Sequence, residues 1–201
     1  MYGWWKLDEG NGDAALDSSG NGHHGALLGA HGGPAWTRSE RGVVLRFDGM
    51  DAVVETSTFL AGLALPFSIS LWVNPDGAQV MHADLLGNHG EPFLGLDIQQ
   101  VGSRTNLYGF GFGDGRKWQG VEAAQLEAGR WQHLAVVCDG DTAILYVDGV
   151  EKSRNPAKGP FVPSAVHATS PPYTCPPPPN APPAAAGHPP PLPSPQPRAA
   201  A

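Results

Sequence analysis

Asp17, Ser18, Ser19, Asn21, His23 and His24 fall within the stretch LDSSGNGHHGALLG, residues 16–29, spaced by Gly20, Gly22 and Gly25. Carboxylate, amide and hydroxyl oxygens on a glycine-rich turn suit calcium, which takes about six to eight oxygen ligands. Asp17, Ser19, Asn21 and Gly22 match the first half of the loop D-x-[DN]-x-[DN]-G, but its twelfth position is Leu28 rather than glutamate, which excludes an EF-hand. More oxygens must come from elsewhere, and the turn FDGMD, with Asp48 and Asp51, is the best second source. A second reading stands beside the first: Asp17, Ser18 and Asn21 cap a turn by hydrogen bonds to the backbone, as these residue types do in any loop.

Other chemistry finds less support. Adjacent residues of an extended chain point to opposite sides, so His23 and His24 do not chelate one zinc ion, and His31, His82 and His89 are scattered. Retaining glycoside hydrolysis needs two carboxyls about 5 Å apart. Asp97 stands alone in GLDIQQ, while Glu122 and Glu127 are five apart in an expected loop. The run GFGFGDG has the glycines of a nucleotide loop without its lysine or following helix. No enzyme is expected. Sugar binding asks for exposed aromatic rings beside polar groups; Trp118, after Arg116 and Lys117, is the leading candidate, with Tyr108 and Asn88 behind it. Trp72 and Trp131 lie in expected strands, where a core or sheet-face position is the simpler reading.

The elements that must carry these residues read as β throughout. LPFSISLWVNP alternates, with Phe67, Ile69, Leu71 and Val73 on one face and Ser68, Ser70, Trp72 and Asn74 on the other. VVLRFDGMDAVVET predicts strands from Val43 to Phe47 and from Ala52 to Thr56, joined as a hairpin through Asp48 and Gly49. The segment from Trp131 to Val137 and that from Ala143 to Val147 flank CDGD, and Asp148 with Gly149 turns the chain again. Short strands are expected between residues 93 and 118, weakened by their glycines, and VEAAQLEAG, residues 121–129, is expected to be a loop. Regularly spaced short strands with turn signals predict an all-β, antiparallel two-sheet sandwich or jelly roll.

Composition divides the 201 residues. Seventeen of the 21 prolines lie at or after Pro156, whereas all 19 acids precede it, so a domain over 1–155 followed by a disordered, proline-rich tail over 156–201 is expected. The formal net charge of −7 and the absence of a lysine or arginine cluster argue against nucleic acid as a partner. No apolar run reaches the roughly 20 residues of a membrane-spanning helix, and MYGWWKLDEG is unlike a signal peptide. Cys138 and Cys175 are too few for a disulfide framework.

WWKLDEGNGDAALDSSGNGHHGALLG, LRFDGMDAVVE, FSISLWVNP and GRWQHLAVVCDGDTAILYVDG, in this order and spacing, resemble the laminin-G-like jelly-roll domains of the concanavalin A-like lectin and glucanase superfamily, over about residues 3–150. The resemblance implies a curved β-sandwich, a secreted or cell-surface setting, a glycan or an extracellular protein as ligand, and a structural calcium ion. It also places the Asp17 turn near Asp48 and Asp51. Glucanases of the superfamily carry alternating acids on one strand, a pattern missing here. The family's last strand, which pairs beside the first and carries an acid near the calcium, is also missing after Lys152. A truncated product is one reading of that gap. Trp4, Trp5 and Leu7 would then form a bare edge strand open to self-association. The expectation is a non-catalytic, lectin-like module with calcium at Asp17, Asn21, Asp48 and Asp51, and a protein-adhesion module as the alternative.

Overall fold

The computed structural model describes residues 1–56, 59–77, 82–88, 90, 92–101 and 106–164. Thirteen strands occur among them: β1 (Ala14–Ala15), β2 (Gly25–Leu28), β3 (Ala35–Ser39), β4 (Gly42–Arg46), β5 (Val53–Thr56), β6 (Phe67–Val73), β7 (Asp84–Gly87), β8 (Leu96–Gln100), β9 (Leu107–Gly113), β10 (Trp118–Gln125), β11 (Gln132–Cys138), β12 (Thr142–Val147) and β13 (Val150–Pro156). All pairings are antiparallel, and the fold is all-β as expected. Two four-stranded sheets, β10-β9-β8-β7 and β13-β12-β11-β6, enclose the core, beside a small sheet β1-β2-β5 and the hairpin β3-β4.

Side-chain alternation explains the sandwich. On β6 and β11 the apolar residues Phe67, Ile69, Leu71, Leu134, Val136 and Cys138 turn inward, and the opposite sheet answers with Leu96, Ile98, Tyr108, Phe110 and Phe112. Phe67 meets Phe110 edge to face across the sheets, with centroids 6.2 Å apart. The buried Cys138 thiol is pushed up to about 12, chiefly by burial and then by Asp139, so it stays protonated and unreactive. The hairpin from β12 to β13 turns through Asp148 and Gly149 at φ 51° and 77°, both left-handed as a two-residue turn with Val147 opposite Val150 requires.

Four expectations change. The Asp48–Gly49 turn does not close a hairpin: β4 pairs with β3 and β5 with β2, so the turn is a corner between sheets. VEAAQLEAG is not a loop, because its first five residues complete β10; a bulge between Val121 and Ala124 breaks the alternation and hides the strand from a period-two reading. The bare N-terminal edge is instead tied down. Ser18 donates to the Trp4 carbonyl at 2.7 Å and the Trp5 indole donates to the His23 carbonyl at 2.7 Å.

The packed chain also continues past 155. Ala157 and Phe161 are buried, with Phe161 wedged between Phe67 and Phe112 at 5.7 and 6.3 Å. Val162 donates to the Gly113 carbonyl and accepts from the Gly95 amide, which ties this segment to the Gly95–Gly113 end of the β8–β9 pair. Prolines 160 and 163 lie in this extended stretch because it demands few ladder donors. Of the expected tail, residues 165–201 lie outside the described residues.

Candidate functional site

A cavity of about 560 Å³ opens over the outer face of β8, β9 and β10. The sequence LYGFGFG makes it. Tyr108, Phe110 and Phe112 face the core, so Gly109 and Gly111 fall on the opposite face and leave room where side chains would stand. Asp97 lies opposite Gly111, and Gly111 lies opposite Gly120, which gives a nearly bare cross-strand row. A Cβ on Gly120 would collide with the Phe110 carbonyl, so β10 can approach β9 here only as glycine. In the neighbouring row Gln99 lies opposite both Asp84 and Gly109.

Polar groups border this floor. A Cβ on Gly111 would lie 3.4 Å from Asp97 Oδ1 and 3.5 Å from the Trp118 ring, so carboxylate and indole flank one empty position. Asp84 leans over Gly87, the cross-strand partner of Asp97, with Oδ2 2.6 Å from where a Cβ would be. His82 Nδ1 lies 2.6 Å from Gln99 Oε1. Asn155 of β13 closes the edge by donating to the Gly120 carbonyl at 3.2 Å.

Of the residues expected to bind ligand, Trp118 lines the cavity and is 38% exposed. Tyr108 does not reach it. At 1% exposed it faces the core, and burial pushes its phenol up to about 12. Asn88 is buried after β7, packed so closely on Gly95 that a Cβ there would strike its carbonyl, and it does not line the cavity. Residue types alone do not mark Asp84, Gln99 and His82 as binding residues, although the outward positions of LDIQQ, Asp97 and Gln99, share the face of Gly109 and Gly111. Glu127 pairs with Arg130 at 3.1 Å, away from the cavity.

The four expected calcium ligands do not come together. Asp17 and Asn21 lie beyond the Gly25 end of the β2–β5 ladder, and Asp48 and Asp51 lie beyond its Leu28–Val53 end, about 10 Å of strand away. Asp17 is occupied: Oδ1 accepts from the amides of Trp4 (2.9 Å) and Ser19 (2.8 Å), and Oδ2 from the Ser19 hydroxyl (2.8 Å) and the His23 amide (3.0 Å). Burial alone would raise this carboxyl, but the bonds from Ser19, Trp4 and His23 outweigh it and hold it far below the usual range. Its own amide donates to His24 Nδ1 at 3.0 Å, and the Asn21 amide group donates to the carbonyls of Met1 and Tyr2. This is a clasp for the N-terminal segment, with both Asp17 carboxylate oxygens already taken by N–H and O–H donors.

The other corner is more open. Asp48 Oδ1 accepts from the amides of Met50, Asp51 and Ala52, and despite partial burial these bonds, with His31 nearby, lower its carboxyl. Asp51 Oδ2 takes the Ala30 amide at 3.0 Å and His31 Nδ1 at 2.9 Å, while its Oδ1 is enclosed without a hydrogen-bond partner. One ligand atom each from His31, Asp48 and Asp51 lie within 4.8 Å of one another. Of the expected carboxylates, Asp48 and Asp51 stand together with His31 and leave Asp51 Oδ1 without a hydrogen-bond partner, whereas both oxygens of Asp17 are taken.

The chain is thus an antiparallel sandwich with a glycine-floored cavity on one sheet and an indole at its rim. The family model described as the concanavalin A-like lectin/glucanases superfamily matches residues 48–174, more than half of the chain, and the chain belongs to that family. Among solved structures it is similar to domain 4 of AbnA, an extracellular arabinanase from Geobacillus stearothermophilus determined in complex with arabinotriose. The identity is 22%, covering 75% of this chain and 74% of that one, with a TM-score of 0.57. An S-layer domain-containing protein from Clostridium thermocellum matches at 22% identity over 78% of this chain and 73% of that one, with a TM-score of 0.47. No curated protein matches the chain.

Proposed function

We propose that the chain is a non-catalytic carbohydrate-binding module whose ligand lies in the cavity over β8, β9 and β10. The observation that carries this reading is the empty position above Gly111, with the Trp118 ring on one side and the Asp97 carboxylate on the other. A sugar has this double character: its apolar C–H face stacks on an indole and its hydroxyls donate to carboxylates. About 560 Å³ is in the range of small-ligand pockets and admits a short oligosaccharide. The arabinotriose complex of the AbnA domain supports the ligand class, and the extracellular setting of that enzyme supports a secreted or surface role for this chain. Calcium, in this reading, is structural and held at Asp48 and Asp51.

Calorimetric titration with neutral oligosaccharides, arabinotriose included, tests the assignment. Trp118→Ala weakens binding by about tenfold or more, roughly 1.4 kcal/mol, while the melting midpoint stays unchanged. Equal affinity in the variant removes Trp118 from the site. Because Asp84 and Asp97 border one cavity, glycoside hydrolysis is a second reading; release of shorter sugars by the wild-type chain, abolished in Asp97→Asn, would establish it over simple binding.

A further inference from the structure

Gln99 is held in one orientation by a residue in an unfavourable backbone conformation. His82 sits at φ 64°, a left-handed geometry uncommon for any residue with a side chain. Its amide donates to the Gln100 carbonyl at 2.8 Å, and its ring Nδ1 meets Gln99 Oε1 at 2.6 Å. Two contacts to neighbouring residues of β8 thus fix an imidazole at the mouth of the cavity. With Gly109 opposite it, Gln99 has no side chain beside it on β9. Once Oε1 accepts the Nδ1–H of His82, the polar group that this cavity-lining amide has left for a ligand is its NH2.

The cavity therefore presents two kinds of group: acceptors on Asp84 and Asp97, and a donor on Gln99. A hydroxyl both gives and takes a hydrogen bond and satisfies both kinds at once. A carboxylate or sulfate gives none and would face two acids, and among the described residues no lysine or arginine lines the cavity to offset them. Resting on the carbohydrate reading above, we infer that the site takes uncharged sugars and rejects uronic and sulfated ones, with His82 as the positioning residue that turns the Gln99 NH2 group toward a sugar hydroxyl.

The test uses the full chain, calorimetric titration, and two probe sets: neutral arabino-, xylo- and gluco-oligosaccharides, and oligogalacturonate with a sulfated glycan. The wild type binds a member of the neutral set at least tenfold more tightly than either acidic probe. Gln99→Glu keeps an acceptor for His82 and replaces the NH2 donor by a charged oxygen that can only accept, so it weakens the neutral ligand about tenfold; His82→Ala, which adds no charge, weakens it as well. Comparable binding of acidic and neutral probes, or full affinity in Gln99→Glu, overturns the inference while leaving a glycan site in place. Failure of every probe to bind the wild type overturns both this inference and the carbohydrate reading.

Discussion

Asp17 shows how one carboxylate can look like a metal ligand in sequence and be a structural clasp in space. Its four accepted hydrogen bonds join the Trp4 amide to the Ser19–His23 turn, and so fix the N-terminal segment to the body of the domain. Its carboxyl is lowered by folding, so the charge stabilises the native state fully above about pH 4 and that contribution is lost as the pH falls below the unfolded value. Asp17→Asn therefore lowers the melting midpoint at pH 7 and flattens the loss of stability between pH 4 and pH 3, which thermal melts across that range would show. The same melts in calcium and in chelator separate the two acidic corners. A calcium-dependent rise survives Asp17→Asn and disappears in Asp51→Asn; the opposite result would return the ion to the Asp17 turn. The difference was not legible from residue types, because oxygens that ligate an ion and oxygens that cap a turn are the same atoms, and only the placement of the amides of Trp4, Ser19 and His23 decides.

At the scale of elements, the segment after β13 is the clearest gain over the sequence. Phe161 lies among Phe67 and Phe112, so Phe161→Ala leaves a void between the sheets and destabilises the chain by about 3 to 5 kcal/mol in urea unfolding. A change below about 1 kcal/mol would mean that residues 157–164 only rest on the domain. Composition concealed this segment: its two prolines, Pro160 and Pro163, which flank the buried aromatic and Val162, read as the start of a tail. β6 and β11 were legible because strict alternation needs no knowledge of the partner strand. The pairing of β4 and β5 was not, since an Asp-Gly turn serves a hairpin or a corner equally well and Asp48 caps either one. β9 misled in the other direction. Its glycines, read as weakening a strand, are the outward half of one whose aromatic half fills the core, and the conformational entropy they cost is offset by the burial of Tyr108, Phe110 and Phe112.

The whole molecule joins these pieces. Two sheets bury the aliphatic face of β8 and the aromatic face of β9 against β6 and β11, and that orientation forces Asp97, Gln99, Gly109 and Gly111 outward together. The β9–β10 register, with Trp118 opposite Gly113 and Gly120 opposite Gly111, brings these two residues against the same surface, and the Asn155 link from β13 closes its edge. Sandwich and cavity thus arise from one alternation pattern, and the cavity is altered most selectively at the position that has no side chain. A Cβ on Gly111 meets only ordinary van der Waals contacts, the nearest being Asp97 Oδ1 at 3.4 Å and the Trp118 ring at 3.5 Å, so the side chain of Gly111→Leu extends from it into the space between Asp97 and Trp118. The most direct measurement is a calorimetric titration of neutral oligosaccharides into the full chain and into Gly111→Leu. Saturable binding by the wild type, lost in a variant that melts at the same temperature, is the predicted result. Binding of equal strength in both chains would place the ligand elsewhere on the domain and contradict the assignment of this cavity.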